Sequence, residues 1–136
     1  MSAMLLADLK LIEVCALEIS FQHHIAMPGQ GKIKVEYGAV EFEVGSTLAD
    51  APENSTIIIK ATPCIKGFRD DMDKEDFNLT IKIRMVYSYP NSAKIDENFL
   101  KENNWYFGSY LKTYFKFYAD ETLSKTTING IKLDYN

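Results

Sequence analysis

Cysteine is scarce in this chain of 136 residues, which contains only Cys15 and Cys64. The two residues lie far apart and no C-x-x-C spacing occurs. We therefore expect two reduced and buried thiols. A nucleophilic role for either one would need a histidine close to it in space, which the sequence does not show.

Signatures of catalysis are also missing. The sequence has no G-x-S-x-G, no P-loop and no H-E-x-x-H. Its histidines, His23 and His24, are adjacent, so on extended backbone they face opposite ways and are poorly placed to share a ligand. We expect both to be solvated loop residues. The sequence thus predicts a protein that is not an enzyme and that holds no metal or cofactor.

Long apolar runs are absent as well. No run approaches the roughly eighteen apolar residues that a membrane-spanning helix needs. The first ten residues, MSAMLLADLK, lack the basic region, long apolar core and cleavage site of a signal peptide. We expect a cytoplasmic protein without membrane insertion.

The chain lacks an excess of positive charge, since its formal net charge is -4 and its pI is about 5.2. A nucleic-acid partner would favour a basic face, whereas basic or unfolded polypeptides fit an acidic chain better. Carboxylates are concentrated at residues 70–76, but the spacing of a calcium loop is absent there. This segment is therefore expected to be a solvated hairpin tip.

Apolar residues make up 46% of the chain, enough for one core, and residues 1–136 are expected to form a single domain. Alternating polarity predicts strands at residues 9–22, 33–44, 56–69 and 77–89. In the first strand, one face is expected to carry Leu9, Leu11, Cys15, Leu17, Ile19 and Phe21. The connection at residues 23–32 is expected to be mobile.

Two of these predicted strands carry a local irregularity. The alternation changes parity near Gly38, which predicts a bulge beside that glycine. Pro63 cannot donate to a sheet ladder, so the third strand either lies at an edge there or bulges. The fourth strand alternates most regularly, with one face apolar and the other mostly polar.

Residues 104–130 have the periodicity of one long helix, preceded by a short helical turn at residues 96–102. Asn104 is expected to cap its start and the Asn129-Gly130 pair to end it. The apolar stripe consists of Phe107, Tyr110, Leu111, Tyr114, Phe115, Tyr118 and Leu123. Polar residues expected to stay wet on the other side are Lys112, Lys116, Asp120 and Ser124.

The order of these elements predicts an α+β fold, in which a four-stranded antiparallel sheet is followed by one long C-terminal helix packed on one face. The apolar arc of the helix is wider than one sheet contact needs, because Trp105, Tyr106 and Phe117 flank the main stripe. A surplus of this kind indicates a partner. The alternative is a single well-buried core helix.

Two short motifs resemble a known family. Residues 18–22 (E-I-S-F-Q) and 117–121 (F-Y-A-D-E), the latter followed by Gly130, are similar to the I-S-F-E and Y-A-R-E sequences of the bacterial export chaperone SecB and its SecB-like relatives. The resemblance covers most of the chain from about residue 9, and it includes the order of strands and helix.

The resemblance implies an ATP-independent holdase that binds unfolded or export-bound polypeptides in long apolar grooves. Such proteins assemble through their helices as dimers of dimers and dock on the motor SecA through acidic strand residues, a position held here by Glu18. Gln22 replaces a glutamate of the family, Asp120 replaces an arginine, and the sequence stops at residue 136 where the family continues into a second helix. A solitary or toxin–antitoxin-associated relative is therefore expected, and SecA or a toxin–antitoxin pair remains open as partner.

The residues expected to line the groove are Ile33, Val35, Tyr37, Trp105 and Tyr106. Assembly is expected through residues 105–128, with an interface of Tyr110, Tyr114, Phe117 and Tyr118. Two other classes of function remain open: a monomeric helix-grip domain for a small apolar ligand, and an antitoxin or other neutralising protein that binds one specific partner.

Overall fold

The computed structural model describes residues 2–3, 6–24, 31–47, 52–69 and 75–126. Several predictions fall partly or wholly outside these residues. They are the connection predicted to be mobile at residues 23–32, of which residues 25–30 lie outside, the hairpin tip predicted at residues 70–76, of which residues 70–74 lie outside, and the helix stop predicted at residues 129–130.

The main sheet is antiparallel and has six strands, so the prediction of four strands is wrong as a count. A separate two-stranded parallel sheet is formed by β1 (Ser2–Ala3) and β8 (Ala93–Lys94). The strands of the main sheet are β2 (Lys10–His23), β3 (Gly31–Glu36), β4 (Val40–Thr47), β5 (Asn54–Ala61), β6 (Cys64–Arg69) and β7 (Glu75–Pro90). A turn of 3-10 helix, Leu6–Asp8, precedes β2.

The six strands occupy four side-by-side positions in the sheet, which we call lanes; two of the lanes each consist of two successive strands. The central strand β7 pairs with β2 on one side and with β5 and then β6 on the other. Ala61 lies opposite Ile83 and Cys64 lies opposite Thr80, so the register is the same on both sides of the break and β5 and β6 share one lane. Next to them, β4 pairs with β5 and β3 pairs with β6, which makes a second interrupted lane, β3/β4, at the edge.

Both interruptions lie at the same level of the sheet. Pro63 accepts a hydrogen bond from the Ile81 backbone N–H at 3.1 Å but has no N–H with which to return one. Its lane is interior and keeps its register, so both predictions for Pro63, an edge position and a bulge, are wrong. The neighbouring lane gains one residue between Glu36 and Val40, where Gly38 has φ of 67°, and the predicted bulge beside Gly38 is confirmed.

The core lies between one face of this sheet and the C-terminal helix. The predicted alternation of the fourth strand is confirmed, because every second residue of β7 from Phe77 to Tyr87 is buried. Since residues directly opposite one another share a face, β5 and β6 add Ile57, Ile59, Ala61 and Ile65 to the same core.

The predicted face of the first strand is wrong at two of its residues. Register shifts in β2 lie between Leu11 and Glu13 and between Ala16 and Glu18, and each changes the parity. The apolar residues of β2 opposite the core positions of β7 are Leu11, Val14, Ala16, Ile19 and Phe21. Cys15 instead lies opposite Arg84, and Leu17 is the extra residue of the second bulge.

Two helices follow β8. Helix α1 (Glu97–Glu102) begins after Asp96, whose carboxylate accepts a hydrogen bond from the Phe99 N–H at 2.8 Å, as expected for a capping residue. Helix α2 (Asn104–Leu123) is shorter than predicted: it ends at Leu123, with Ser124 as its C-cap, before the predicted stop at residues 129–130. Its N-cap is Asn103, without a side-chain capping bond, so the prediction that Asn104 caps the start is also wrong.

A matched pair of glycine substitutions tests this packing. A methyl group at Gly67 would overlap the buried ring of Phe77 on the neighbouring strand, whereas one at Gly108 in α2 would meet nothing within 4 Å. We expect Gly67→Ala to lower the free energy of unfolding by about 1–3 kcal/mol, and Gly108→Ala to raise it by about 0.5–1 kcal/mol. Urea denaturation measures both, and a Gly67→Ala protein as stable as the wild type would contradict the packing described.

Candidate functional site

Helix α2 is anchored by one buried stripe, formed by Phe107, Leu111, Phe115, Ala119 and Leu123. The ring centroid of Phe107 lies 5.3 Å from that of Tyr87 and 5.6 Å from that of Phe42, both edge-on. Phe115 contacts Tyr37 in the same way at 5.8 Å. These contacts hold the helix over the central lane and over the β3/β4 lane.

The helix is too narrow for the sheet it covers. Four lanes spaced by about 4.8 Å are roughly 19 Å wide, whereas a helix with its side chains has a diameter of about 10 Å. Apolar side chains on the helix-covered face therefore stay exposed at both edges: Ile19 of β2 (48%), Ile33 of β3 (39%) and Val44 of β4 (43%).

The helix also exposes large side chains of its own. Trp105 and Phe117 are 63% and 62% exposed, and Tyr110 is more than a third exposed. We call the side of α2 formed by Tyr106, Tyr110, Tyr114, Phe117 and Tyr118 the aromatic flank. Burial raises the pKa of Tyr118, with smaller effects from Cys15, Tyr114 and Glu121.

The predicted groove residues lie in two separate places. Val35 and Tyr37 pack against the core from the β3 side, and Ile33 lies opposite Gly67, which pairs with Phe77. Tyr106 contacts Tyr87, ten residues further along β7, and Trp105 stacks edge-on against Tyr106. Ten residues of strand span about 33 Å, so only an extended ligand could reach both places.

The predicted interface residues fall into two groups. Tyr110 and Phe117 are exposed, whereas Tyr114 and Tyr118 are half-buried against the core. Glu18, the predicted docking residue, is exposed on the opposite face of the sheet, across from Lys82. The docking and groove residues are thus on different faces of the sheet.

The expectation that the helix lysines stay wet is wrong. Lys112 is half-buried with its Nζ 5.3 Å above the ring of Tyr37, in the geometry of a cation–π contact. The Lys116 side chain is mostly buried, and its Nζ lies 2.7 Å from the Asp120 carboxylate. Both lysines cover apolar surface with their methylene chains while their charged ends reach a partner.

Exposed apolar residues that the sequence reasoning missed include Ile12 and Leu17. Each lies at a register shift of β2, where one residue too many opposes β7. Apolar residues on both faces of this segment were a visible signal, but nothing in their spacing marked the bulges.

The burial of the two cysteines and of His23 differs from the prediction. Cys15 and Cys64 are free and half-buried, so the prediction of buried thiols is wrong. His23 is the last residue of β2 and is half-buried, with its Nε2 3.6 Å from Asp76, so it is not a solvated loop residue. His24 is exposed, and its Nε2 lies 3.1 Å from Glu75.

Neither a metal-binding cluster nor a membrane-spanning helix is found among the residues that the structure describes. No group of three or more histidine, cysteine, aspartate or glutamate side chains in those ranges is arranged to hold a metal ion. Within the same ranges, no helix is both long enough and apolar enough to cross a membrane.

Comparison with known proteins identifies the class of fold. No family model matches the chain, and no curated protein does. A solved structure matches 94% of this chain and 90% of its own, with a TM-score of 0.66 and 13% sequence identity. It is a SecB-like chaperone, and at this identity the likeness establishes the fold alone: the chain has a SecB-like α+β fold, as the resemblance implied.

That structure is the Mycobacterium tuberculosis SecB-like chaperone Rv1957 in complex with a ChAD peptide from the antitoxin HigA1 (Rv1956). A protein of unknown function from Streptococcus agalactiae is also similar, at 11% identity over 93% of this chain and 96% of its own. Its TM-score of 0.45 is too low to support an inference.

Tyr87 has an unusual environment beneath the helix. Its side chain is fully buried between the rings of Phe107, Tyr106 and Tyr110, and its hydroxyl has no hydrogen-bond partner among the described residues. Burial raises the pKa of Tyr87, and the neighbouring tyrosines raise it further.

Removing this hydroxyl is expected to stabilise the fold. An unpaired buried hydroxyl costs about 1–3 kcal/mol, so Tyr87→Phe should raise the free energy of unfolding by about 1 kcal/mol. Tyr106→Phe is the control without such a gain, because Tyr106 is only half-buried and its hydroxyl is not among the buried groups without a partner.

The raised pKa adds a second readout in the same experiment. The unfolded chain loses the Tyr87 proton near pH 10 and the folded chain keeps it to higher pH, so wild-type stability should fall above about pH 10. The fall should be shallower in Tyr87→Phe. Equal or lower stability of Tyr87→Phe in urea denaturation would contradict an unpaired hydroxyl.

Proposed function

We propose that this protein is an ATP-independent holdase chaperone that binds unfolded or export-bound polypeptides in the cytoplasm. Residues 1–136 would act as a single domain without catalytic activity. The observation that carries the proposal is the apolar surface left exposed on both sides of α2, with Ile19 on one side and Ile33 and Val44 on the other. A non-covalent holder needs such surface beside a polar rim.

Client polypeptides would bind in extended form. The groove would run along β3 past Ile33, Val35 and Tyr37 and reach Trp105 and Tyr106 at the start of the helix. The distance of about 33 Å between its ends favours a segment of roughly ten extended residues over a small molecule. No observation of this kind favours the small-ligand alternative, since Phe107, Phe115 and Tyr87 fill the helix–sheet contact almost without exposure.

Copies of the chain would assemble through α2, as a dimer or a dimer of dimers. Tyr110 and Phe117 would form the centre of that interface because they are the exposed members of the aromatic flank. Tyr114 and Tyr118 would contribute from its half-buried side. Glu18, on the opposite face of the sheet, would remain accessible in such an assembly and could dock a protein such as SecA.

A second candidate is binding to one specific partner, such as the peptide of an antitoxin. It is favoured by the complex of Rv1957 with a peptide from an antitoxin. The two functions differ in range: a general holdase suppresses aggregation of many unfolded proteins, whereas a dedicated partner of a toxin–antitoxin pair does not.

Client binding is tested with an unfolded model protein whose aggregation is followed by light scattering. We expect wild-type protein to suppress aggregation, and Ile33→Ser and Trp105→Ser each to weaken client affinity by about tenfold, because burial of a large apolar side chain contributes about 1.5–3 kcal/mol. Lys82→Ala, an exposed change on the opposite face, should have no effect. A wild-type protein that suppresses no aggregation would reject the general holdase.

Assembly is tested with the two exposed aromatic residues. Burying a carboxylate at each position costs several kcal/mol, so the double variant Tyr110→Asp with Phe117→Asp should break the helix contact. Light scattering gives the mass relative to the 15.5 kDa chain. Lys101→Asp, an exposed change on α1, is the control and should keep the wild-type mass. A double variant that keeps the wild-type mass would refute the interface.

A further inference from the structure

The β3/β4 lane presents an open edge. In the part of the chain that the structure describes, β3 pairs only with β6 and β4 pairs only with β5. The outer side of this lane therefore offers backbone N–H and C=O groups to another strand.

The side chains of this edge divide into an apolar and a charged face. Residues on the helix-covered face are Ile33, Val35, Val40, Phe42 and Val44. On the other face, β3 carries Lys32 and Lys34 while β4 carries Glu41 and Glu43, all four exposed. The basic and acidic ends are separated by the break at residues 37–39, with Glu36 just before it.

Within one chain these charges are poorly compensated. Lys34 lies directly opposite Lys66 on β6, a destabilising arrangement, and its carboxylate neighbour is Glu36 at 3.2 Å on the same strand. Glu43 lies opposite the apolar Ile58. Glu41, by contrast, lies opposite Lys60. The positions without an opposite charge directly across from them are therefore Lys32, Lys34 and Glu43.

We propose that this edge pairs with the same edge of a second copy of the chain, in antiparallel orientation around a two-fold axis near residues 37–38. In that register Lys32 faces Glu43 of the second copy and Lys34 faces Glu41. A two-fold contact of this kind is self-complementary, so every charge pair occurs twice.

The apolar face fits the same register. Ile33 lies opposite Phe42 of the second copy and Val35 lies opposite Val40, so the apolar face continues across the contact beside the exposed Ile33 side chain. The extra residue in the break makes this possible, since it places even-numbered residues of β3 and odd-numbered residues of β4 on one face. Gly38 at the axis brings no side chain into the contact.

The backbone groups also match. Pro63 directs its carbonyl to β7, so by strand alternation Cys64 and Lys66 direct their backbone groups to β3. Lys34, opposite Lys66, is bonded inward, which leaves the N–H and C=O groups of Ile33 and Val35 free on the outer side. The same alternation leaves the backbone N–H and C=O groups of Val40 and Phe42 free on the outer side. In the proposed register Ile33 and Val35 pair with Phe42 and Val40 of the second copy, so the free groups of the two copies meet.

Surface charge pairs contribute little affinity individually, so here they select the register and the partner. The strand pairing supplies the contact itself. This inference rests on the proposed function in one respect: together with the helix contact, the edge contact provides the second interface that a dimer of dimers needs. It would close the backbone edge of the β3/β4 lane to client strands. The apolar groove would stay open.

Charge exchange across the edge tests the proposal. Lys32→Glu with Lys34→Glu makes the whole edge acidic, and Glu41→Lys with Glu43→Lys makes it largely basic, so each variant should lose the edge contact. Combining all four substitutions restores opposite charges and should restore the contact, as should mixing the two double variants. Lys10→Glu with Lys82→Glu changes the net charge of the chain equally, away from the edge, and should change nothing.

Mass measured by light scattering separates the two interfaces. We expect four copies in the wild type, two in either edge variant, two in Tyr110→Asp with Phe117→Asp, and one when an edge variant is added to that pair. If the helix interface fails, the edge variants alone should convert two copies to one.

Three results would overturn the proposal. One is an unchanged mass in both edge variants, which would mean that the charges only prevent the exposed edge from pairing with other strands. Another is an edge variant that loses client binding at unchanged mass, which would assign the edge to an extended client. Wild-type protein that is monomeric would also reject it.

Discussion

The helix α2 meets a sheet that is about twice as wide as the helix itself, and most features of this molecule depend on that mismatch. The central lanes are covered, so Ile57, Ile81 and Ile83 are completely buried. The outer lanes are covered only in part, by contacts such as that of Phe42 with Phe107, so apolar side chains of the same face remain exposed beyond those contacts, Ile19 on one side and Ile33 on the other. A second helix or a second molecule would normally cover such flanks.

The break in the middle of the sheet determines the side-chain parity and the charge pattern of the β3/β4 lane. Pro63 removes one donor from the interior lane, and the adjacent lane takes up one extra residue around Gly38. The residues before and after that glycine then belong to short strands of opposite charge, β3 and β4. One irregularity thus produces both the changed parity and a charge pattern that can match itself in a second copy.

The sequence could predict those elements in which the same face is buried along the whole length. Strand β7 is interior, so its apolar face alternates without interruption and is readable, and the change of parity at Gly38 is visible because both halves of that segment alternate clearly. Strand β2 is an edge strand with apolar residues on both faces, so its two bulges leave no mark in the spacing. The helix end was misplaced because the Asn129-Gly130 pair is a strong stop signal, whereas nothing in residues 124–126 marks the end at Leu123 as clearly.

The candidate site was predictable to a similar degree. Trp105 and Phe117 depart from the buried stripe of the helix, so their exposure follows from helical geometry alone. The exposure of Ile19 and Val44 depends on which strands lie at the edges, and lane order comes from pairings between distant parts of the chain. For the same reason the sequence did not show that Ile33 and Trp105 lie at opposite ends of the sheet, so the predicted groove, which stays a prediction, would have to run along the sheet between them.

The central claim, that apolar surface beside the helix holds extended polypeptide, is tested most directly by site-specific photo-cross-linking to an unfolded client. A photoreactive side chain would replace Ile19, Ile33 or Lys82 in turn. The account predicts client cross-links from Ile19 and Ile33, which flank the helix, and few from Lys82 on the opposite face. Cross-links of equal yield from all three positions, or none from the two flanking positions, would contradict it.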